Sequence, residues 1–436
     1  MAEQSLLNLL TDSVKGARRI GQTARVLSTT GVNWVLGNRP PAPKLLRQTF
    51  ENLGTTYIKL GQFIASSPSF FPEEFVMEFQ NCLDNTPPIS FREIKTVIES
   101  DLKRPLYECF SEFDPEPLAS ASIAQVHAAK LHSGEEVVVK IQKPGVQNVL
   151  LTDLNFLYLS ARVLEYFVPN LSMASLSDIV AELQKGMLEE CDFIREAQNI
   201  QDFHDFLGDT MNKEVIAPQV YNEFTSIRVL TMERFHGVSF TDLESVKRYT
   251  ADPQFSLIIA MNTWFASLLL AKSFHADVHA GNLMVLKDGR IGFIDFGIVG
   301  RISPDTWKSV AAFIKAITEG DYQGMATSMV GIGVTDKSID TDALAKDIED
   351  LYTSMDSSLN HLPSTGAIET GIHENEVNKI MMDLIGIGKR YGIHFPREFA
   401  LLLKQILYFD RYVQLLSPNA DFYSDNRLIM LPDSFE

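Results

Sequence analysis

"FHADVHAGNLMVLKDGRIGFIDFG", residues 274–297, decides how the rest of the chain is read. Two short apolar runs flank the turn Lys287-Asp288-Gly289, which predicts a β-hairpin. Asp277 precedes the hairpin, Asn282 enters its first strand and Asp295 leaves its second. Phosphoryl transfer needs this order. One carboxylate orients or deprotonates the attacking hydroxyl or water, while an Asn and a second Asp hold a divalent metal against nucleotide phosphates. Magnesium favours oxygen ligands, which these side chains supply. The hairpin returns Asn282 and Asp295 to the same end, so both can face one set of phosphates. Asp288 reads as an ordinary turn residue.

Such chemistry needs a cation from another part of the chain. "EEVVVKIQKP" offers Lys140 near the end of an apolar strand, where an unpaired ammonium would cost several kcal/mol. It follows "SIAQVHAAKL", and the intervening His-Ser-Gly predicts a hairpin. That context suits a lysine contacting α- and β-phosphates. No glycine-rich loop precedes it. Residues 117–127, "PLASASIAQVH", stand there instead, and Ala and Ser restrict positive φ more than Gly does. A carboxylate partner is expected on a downstream helix. "LEECDFIREAQNI" supplies Glu189, Glu190, Asp192 and Glu196; on a helix Glu189, Asp192 and Glu196 fall on or near one face, with Glu190 close by. Composition leaves open whether that face is a site or solvated.

At 436 residues the chain should hold two or three units. Its 45% hydrophobic and 22% charged content are those of a folded protein. Three cysteines without CxxC spacing argue against a disulfide framework or zinc site and predict a reducing compartment. A net charge of −18 disfavours nucleic acid as a partner. The first fifty residues differ, with seven Lys and Arg against only Glu3 and Asp12. This segment could form a solvated helix face or dock on an anionic membrane as a peripheral contact. Residues 255–271 are interrupted by Asn262 and Thr263 and fall short of the ~20 residues of a spanning helix. No signal peptide or transmembrane segment is expected, and the location expected is cytoplasmic, with peripheral membrane contact as the alternative.

The first hundred residues read as helical: 1–36, then a stretch ending near "SPSFFPEEF", then "EEFVMEFQNCLD". In "SFREIKTVIESDL", Ser90 and Glu93 form a capping-box pattern. A small mixed lobe follows from about residue 116 and a mainly helical lobe from about 234. The expected fold class is therefore α+β and two-lobed, with domains at 1–115, 116–233 and 234–436.

Taken in order, "YIKLGQ" (57–62), "ASASIAQVH", "VVVKIQKPG", "ECDFIREAQN" and "HADVHAGN…DFG" resemble the UbiB/AarF family of atypical protein-kinase-like proteins, associated with ubiquinone biosynthesis. The likeness runs from about residue 40 to the end. It implies a protein-kinase-like fold with an all-helical N-terminal extension packed over the active site. It makes Lys140 the ATP lysine, Glu196 its ion-pair partner, Asp277 the catalytic aspartate, and Asn282 and Asp295 the magnesium ligands. Lys59, Gly61 and Gln62 fall on the KxGQ signature, and Glu190 and Asp192 on the ExD pair expected to meet Lys59. Ala119, Ser120, Ala121 and Ser122 take the place of the family's alanine-rich nucleotide loop, and the backbone of Met232, Glu233 and Arg234 that of the hinge facing adenine. Ser120 replaces an alanine of that loop, and Val278 and Ala280 replace prolines of the HxDxHxGN motif.

The resemblance implies ATP or ADP and Mg2+ as cofactors. It also implies ATP hydrolysis or ATP-driven handling of a lipid such as a quinone precursor, with protein substrates blocked by the extension. A nucleotide-sensing scaffold and a small-molecule kinase are the alternatives. His275 reads as a structural hydrogen-bonding residue, His279 as a minor candidate near the phosphates, and the Met and Phe stripes of 376–415 as core.

Overall fold

A computed structural model describes Arg25 and residues 40–65, 73–79, 87–167, 176–240, 242–271, 273–279, 281–333, 335, 338–359, 383–393 and 395–416. Apart from Arg25, the expected helix over 1–36 lies outside the described residues, as does most of the basic segment. The chain divides into two compact units. The first holds the residues up to 193, except 67–69, together with 222–231; the second holds 67–69, 194–221 and 232 onward.

The first unit opens with helices α1 (Ala42–Leu53), α2 (Thr55–Ala65) and α3 (Glu73–Phe79). Gly54 separates α1 from α2 at φ +92°, a conformation that a side chain would strain. Phe50 packs edge-on against Tyr57 and at a steep tilt against Phe79, and Arg47 donates to Glu78 at 2.7 Å. Helix α4 (Phe91–Leu102) starts with the predicted capping box and buries Ile94, Val97 and Ile98; α5 (Leu106–Cys109) follows.

The sheet of this unit has the order β1 (Glu112–Ser120), β2 (Ala124–Lys130), β3 (Glu136–Gln142) and β5 (Val229–Glu233). The β2–β3 hairpin forms where the sequence predicts it. Strand β1 was not expected, because Pro115 and Pro117 argue against a central strand. It is an edge strand, where proline is tolerated, and its register shifts on both sides of Pro117. The segment read as a free loop is therefore shorter. Ala119 and Ser120 end β1, and only 121–123 turn the corner.

Helices α6 (Val146–Phe167), α7 (Leu176–Glu190) and α8 (Phe193–Asp209) come next. The acidic stretch is not one helix: it breaks at Cys191–Asp192, leaving Glu189 and Glu190 on α7 and Glu196 in the first turn of α8. Tertiary bonds outweigh helix continuation here. Gln142 Nε2 donates to the Cys191 carbonyl at 2.9 Å, and Phe193 N–H donates to the Ile227 carbonyl at 3.1 Å. A periodicity count cannot see either partner.

The second unit contains β4 (Val215–Ile216), β6 (Gly237–Ser239), α9 (Leu243–Tyr249), α10 (Pro253–Leu270), β7 (Phe274–His275), β8 (Leu283–Leu286), β9 (Ile291–Phe293) and β10 (Val299–Gly300). It ends in helices α11 (Pro304–Glu319), α12 (Tyr322–Ile332), α13 (Thr341–Leu359) and α14 (Arg397–Leu416). One sheet has the order β4-β9-β8-β6, and β7 pairs with β10. The predicted hairpin is β8–β9, with Gly289 at φ +87° and Arg290 N–H bonded to Asp288 in the turn. Helix α10 is the expected core helix. Its Trp264 is fully buried against Phe265, Phe274 and Phe409, and no helix among the described residues is long and apolar enough to cross a membrane. Phe395, Phe399 and Phe409 are buried, while residues 376–382 lie outside the described set.

Candidate active site

In the first unit, β3 alternates cleanly. Val137, Val139 and Ile141 are fully buried on one face, and Lys140 stands half-buried on the other, paired with Val126 of β2. Its Nζ lies 5.5 Å from the centroid of the buried Phe193 ring, within reach of a cation–π attraction. The β1–β2 corner is closed by Ala121 N–H on the Ala124 carbonyl at 2.8 Å. Ser120 Oγ is buried there without a hydrogen-bond partner. His127, on β2 behind this corner, is fully buried. It accepts from Gln125 at Nε2, so its Nδ1–H donates to the Asp114 carbonyl at 2.8 Å, and burial pushes its pKa down.

Lys59 projects from α2 to Glu190 at the end of α7, with Nζ 2.8 Å from Oε2 and both side chains mostly covered. Gly61 is buried and Gln62 half-buried on the same helix. Cys191 follows directly; burial first, then the Glu190 charge, pushes its thiol up to about 12, against the opposing pull of Lys59. It is an interior thiol, as is Cys109. Asp192 lies in the break after Glu190, its N–H bonded to the Glu189 carbonyl.

The second unit holds Glu196, Met232–Arg234, Asp277, Asn282 and Asp295. Asn282 Nδ2 donates to the Asp277 carbonyl at 3.0 Å and to Asp277 Oδ2 at 3.3 Å. This fixes the amide so that Oδ1 is the end turned away from Asp277. Across the hairpin, Ile294 N–H donates to the Asn282 carbonyl at 3.0 Å. Asp295 adopts φ +59°, uncommon for a residue with a side chain, and its Oδ1 accepts Gly297 N–H at 3.3 Å. Glu196 is almost wholly buried beside this turn: a Cβ added at Gly297 would meet Asp295 Oδ1 at 3.1 Å and Glu196 Oε2 at 3.8 Å. The donor set suits magnesium, being an amide oxygen and carboxylate oxygens. Among the described residues no cluster of three or more His, Cys, Asp or Glu could by itself hold a metal ion. Of the hinge segment, Met232 is buried and Glu233 N–H is bonded to the Gln219 carbonyl at 2.8 Å.

Of the groups around these residues, His275 was expected as a structural residue and His279 only as a minor candidate near the phosphates, while Asn199 and Arg301 escaped the sequence reading. His279 accepts Gly281 N–H at Nδ1, 2.9 Å, which directs its Nε2 to Asp277 Oδ2 at 3.4 Å. His275 is structural: Nδ1 accepts Asp277 N–H, Nε2–H donates to the Ile294 carbonyl, and burial pushes its pKa down. Asn199 donates to the Phe296 carbonyl at 3.0 Å and is held by Arg301 at 3.2 Å. Only Arg301 carries a charge that could have drawn attention, and nothing in the spacing connects it to Asn199.

A small antiparallel sheet with a strand lysine, and a loop–hairpin carrying Asp, Asn and Asp, are the parts of a protein-kinase-like fold. Residues 81–329 match the model of the ABC1 atypical kinase-like domain. A chloroplastic aarF domain-containing protein kinase of Arabidopsis thaliana, itself uncharacterized, is 48% identical over 89% of this chain and 74% of its own length. An uncharacterized Mycobacterium tuberculosis protein is 35% identical over 94% of this chain and 83% of its own. A probable protein kinase UbiB of Pseudomonas fluorescens is 29% identical over 87% and 69%. Among solved structures, a Mycobacterium tuberculosis protein in complex with erythromycin aligns over 95% of both chains at a TM-score of 0.55 and 22% identity, a likeness of fold. The chain belongs to the UbiB/AarF family of atypical kinase-like proteins.

Proposed function

We propose that this protein is a magnesium-dependent ATPase or phosphotransferase directed at a small or lipid-like substrate. The observation that carries the reading is the bonded pair Asp277–Asn282 with Asp295 at the exit of the same loop–hairpin. In this reading Asp277 orients the attacking hydroxyl or water and accepts its proton. Asn282 Oδ1 and the Asp295 carboxylate hold magnesium, which when bound neutralises phosphate charge. Lys140, with Glu196 as its partner, contacts the α- and β-phosphates. The 119–122 corner covers them, and the 232–234 backbone meets adenine.

The Lys59–Glu190 pair supports the further reading that the KxGQ helix is fastened in place and disfavours a protein substrate. Relatives carrying the UbiB name point to a quinone precursor as the class of lipid. The basic N-terminal segment suits peripheral contact with an anionic membrane.

The test is ATP turnover by the wild type and Lys140→Met, with and without anionic liposomes and quinone-like headgroup compounds. The reading expects magnesium-dependent turnover that Lys140→Met abolishes and that headgroup compounds stimulate. Turnover equal in both proteins would overturn it.

A further inference from the structure

The loop carrying Asp277 has almost no regular backbone partners, yet it is buried. Ala276 and Val278 are almost inaccessible, so their N–H and C=O groups need partners within the protein. Side chains supply the bonds instead. Trp264 Nε1 on α10 donates to the His275 carbonyl at 2.8 Å. Gln405 Oε1 on α14 accepts Val278 N–H at 2.8 Å, 127 residues along the chain. Tyr412 Oη–H, two turns further along α14, donates to the Val278 carbonyl at 2.8 Å.

Both polar backbone groups of the residue after Asp277 are thus held by one helix. The holders are themselves fixed. Gln405 is fully buried, and its Nε2 donates to the Leu401 carbonyl at 2.9 Å, so only Oε1 can face Val278. Tyr412 is buried against Phe240 and Phe409, and Phe409 packs on Trp264. The departure at Val278 acquires a meaning here. A proline at that position has no N–H, and the Gln405 oxygen would be left buried without a donor.

We infer that Gln405 and Tyr412 are positioning residues: α14 sets the conformation of the Asp277 loop through Val278. The inference rests on the proposed role of Asp277, and its test separates the two. Gln405→Leu, Gln405→Glu, Tyr412→Phe, Val278→Pro and the pair Val278→Pro/Gln405→Leu are compared with wild type in the full-length protein. The readouts are amide hydrogen exchange, ATP turnover and thermal melting.

Gln405→Leu should speed exchange across residues 276–282 about tenfold while leaving 310–332 unchanged. Its kcat should fall about ten- to a hundredfold with KM for ATP within about threefold, because a misplaced loop impairs chemistry more than binding. Gln405→Glu keeps an acceptor for Val278 N–H and, as the neutral acid, an O–H donor for the Leu401 carbonyl, so its exchange at 276–282 should stay closer to wild type than that of Gln405→Leu. The paired variant should outperform Val278→Pro alone, since it removes the orphaned oxygen.

Unchanged exchange at 276–282 in Gln405→Leu overturns the inference, whatever the activity. So does faster exchange with wild-type kcat, which would leave the functional reading standing. If the wild type itself shows no turnover, the functional reading fails. Exchange alone then decides the clamp, with faster exchange supporting it and unchanged exchange ending it.

Discussion

The β1–β2–β3 hairpins of the first unit and the Asp277 loop of the second are built on opposite principles. The hairpins hold themselves: β2 and β3 satisfy each other in unbroken register, β1 pairs with β2 apart from the shifts around Pro117, and Lys140 is placed by alternation along β3. The loop is held from outside, by Trp264, Gln405 and Tyr412 from helices before and after it. A ladder spreads its support over many equivalent bonds. A clamp concentrates it in a few side chains, so single substitutions should separate stability from loop geometry only in the second case.

The sharpest form of that contrast pairs two core truncations. Trp264→Ala removes a fully buried ring together with the donor to the His275 carbonyl, and should cost about 3–5 kcal/mol by denaturant unfolding. Ile141→Ala, equally buried on β3, should cost about 2–5 kcal/mol. The two should differ in the hydrogen exchange of residues 275–282, faster in Trp264→Ala and unchanged in Ile141→Ala under native conditions. Equal exchange there would erase the distinction.

A pH test addresses the ladder side. His127 is buried neutral, with both ring nitrogens bonded, and its pKa lies below the ordinary value. The unfolded chain therefore binds the proton more tightly, and this contribution to stability is lost as pH falls below about 6.5, down to the folded value. His127→Phe, set among Phe91 and Phe113, should flatten that part of the stability–pH curve. A wild-type curve as flat as the variant's between about pH 6.5 and 5 would contradict the assignment.

The smallest expected effect is at the capping box. Ser90 accepts Glu93 N–H at 3.4 Å and Glu93 returns to Ser90 N–H at 3.2 Å, so Ser90→Ala should cost about 1 kcal/mol. The loop's exchange should not respond.

This difference in construction also explains what the sequence could reveal. The hairpins over 124–142 and 283–293, the Ser90 cap and the core character of α10 follow from local alternation, capping and turn chemistry, and all were legible. The proposed site residues were read as motifs, Asp277, Asn282 and Asp295 from the order that phosphoryl transfer would demand and the KxGQ, ExD, loop and hinge residues from the family resemblance. The break at Cys191–Asp192 was not, since Gln142 and Ile227 impose it from distant strands and loops. Strand β1 was hidden by Pro115 and Pro117, which only an edge position tolerates. The clamp on Val278 was invisible for the same reason as the helix break, because no pattern within ten residues of Asp277 points to Gln405 or Tyr412.

The central claim is that Asp277 does chemistry on a nucleotide that other groups bind. Its most direct test measures MgATP affinity and ATP turnover of Asp277→Asn against wild type in the same preparation. The account predicts affinity within about threefold and turnover reduced about a thousandfold or more, as for loss of an interaction made only in the transition state. An Asp277→Asn protein that binds MgATP and turns it over at the wild-type rate would contradict it.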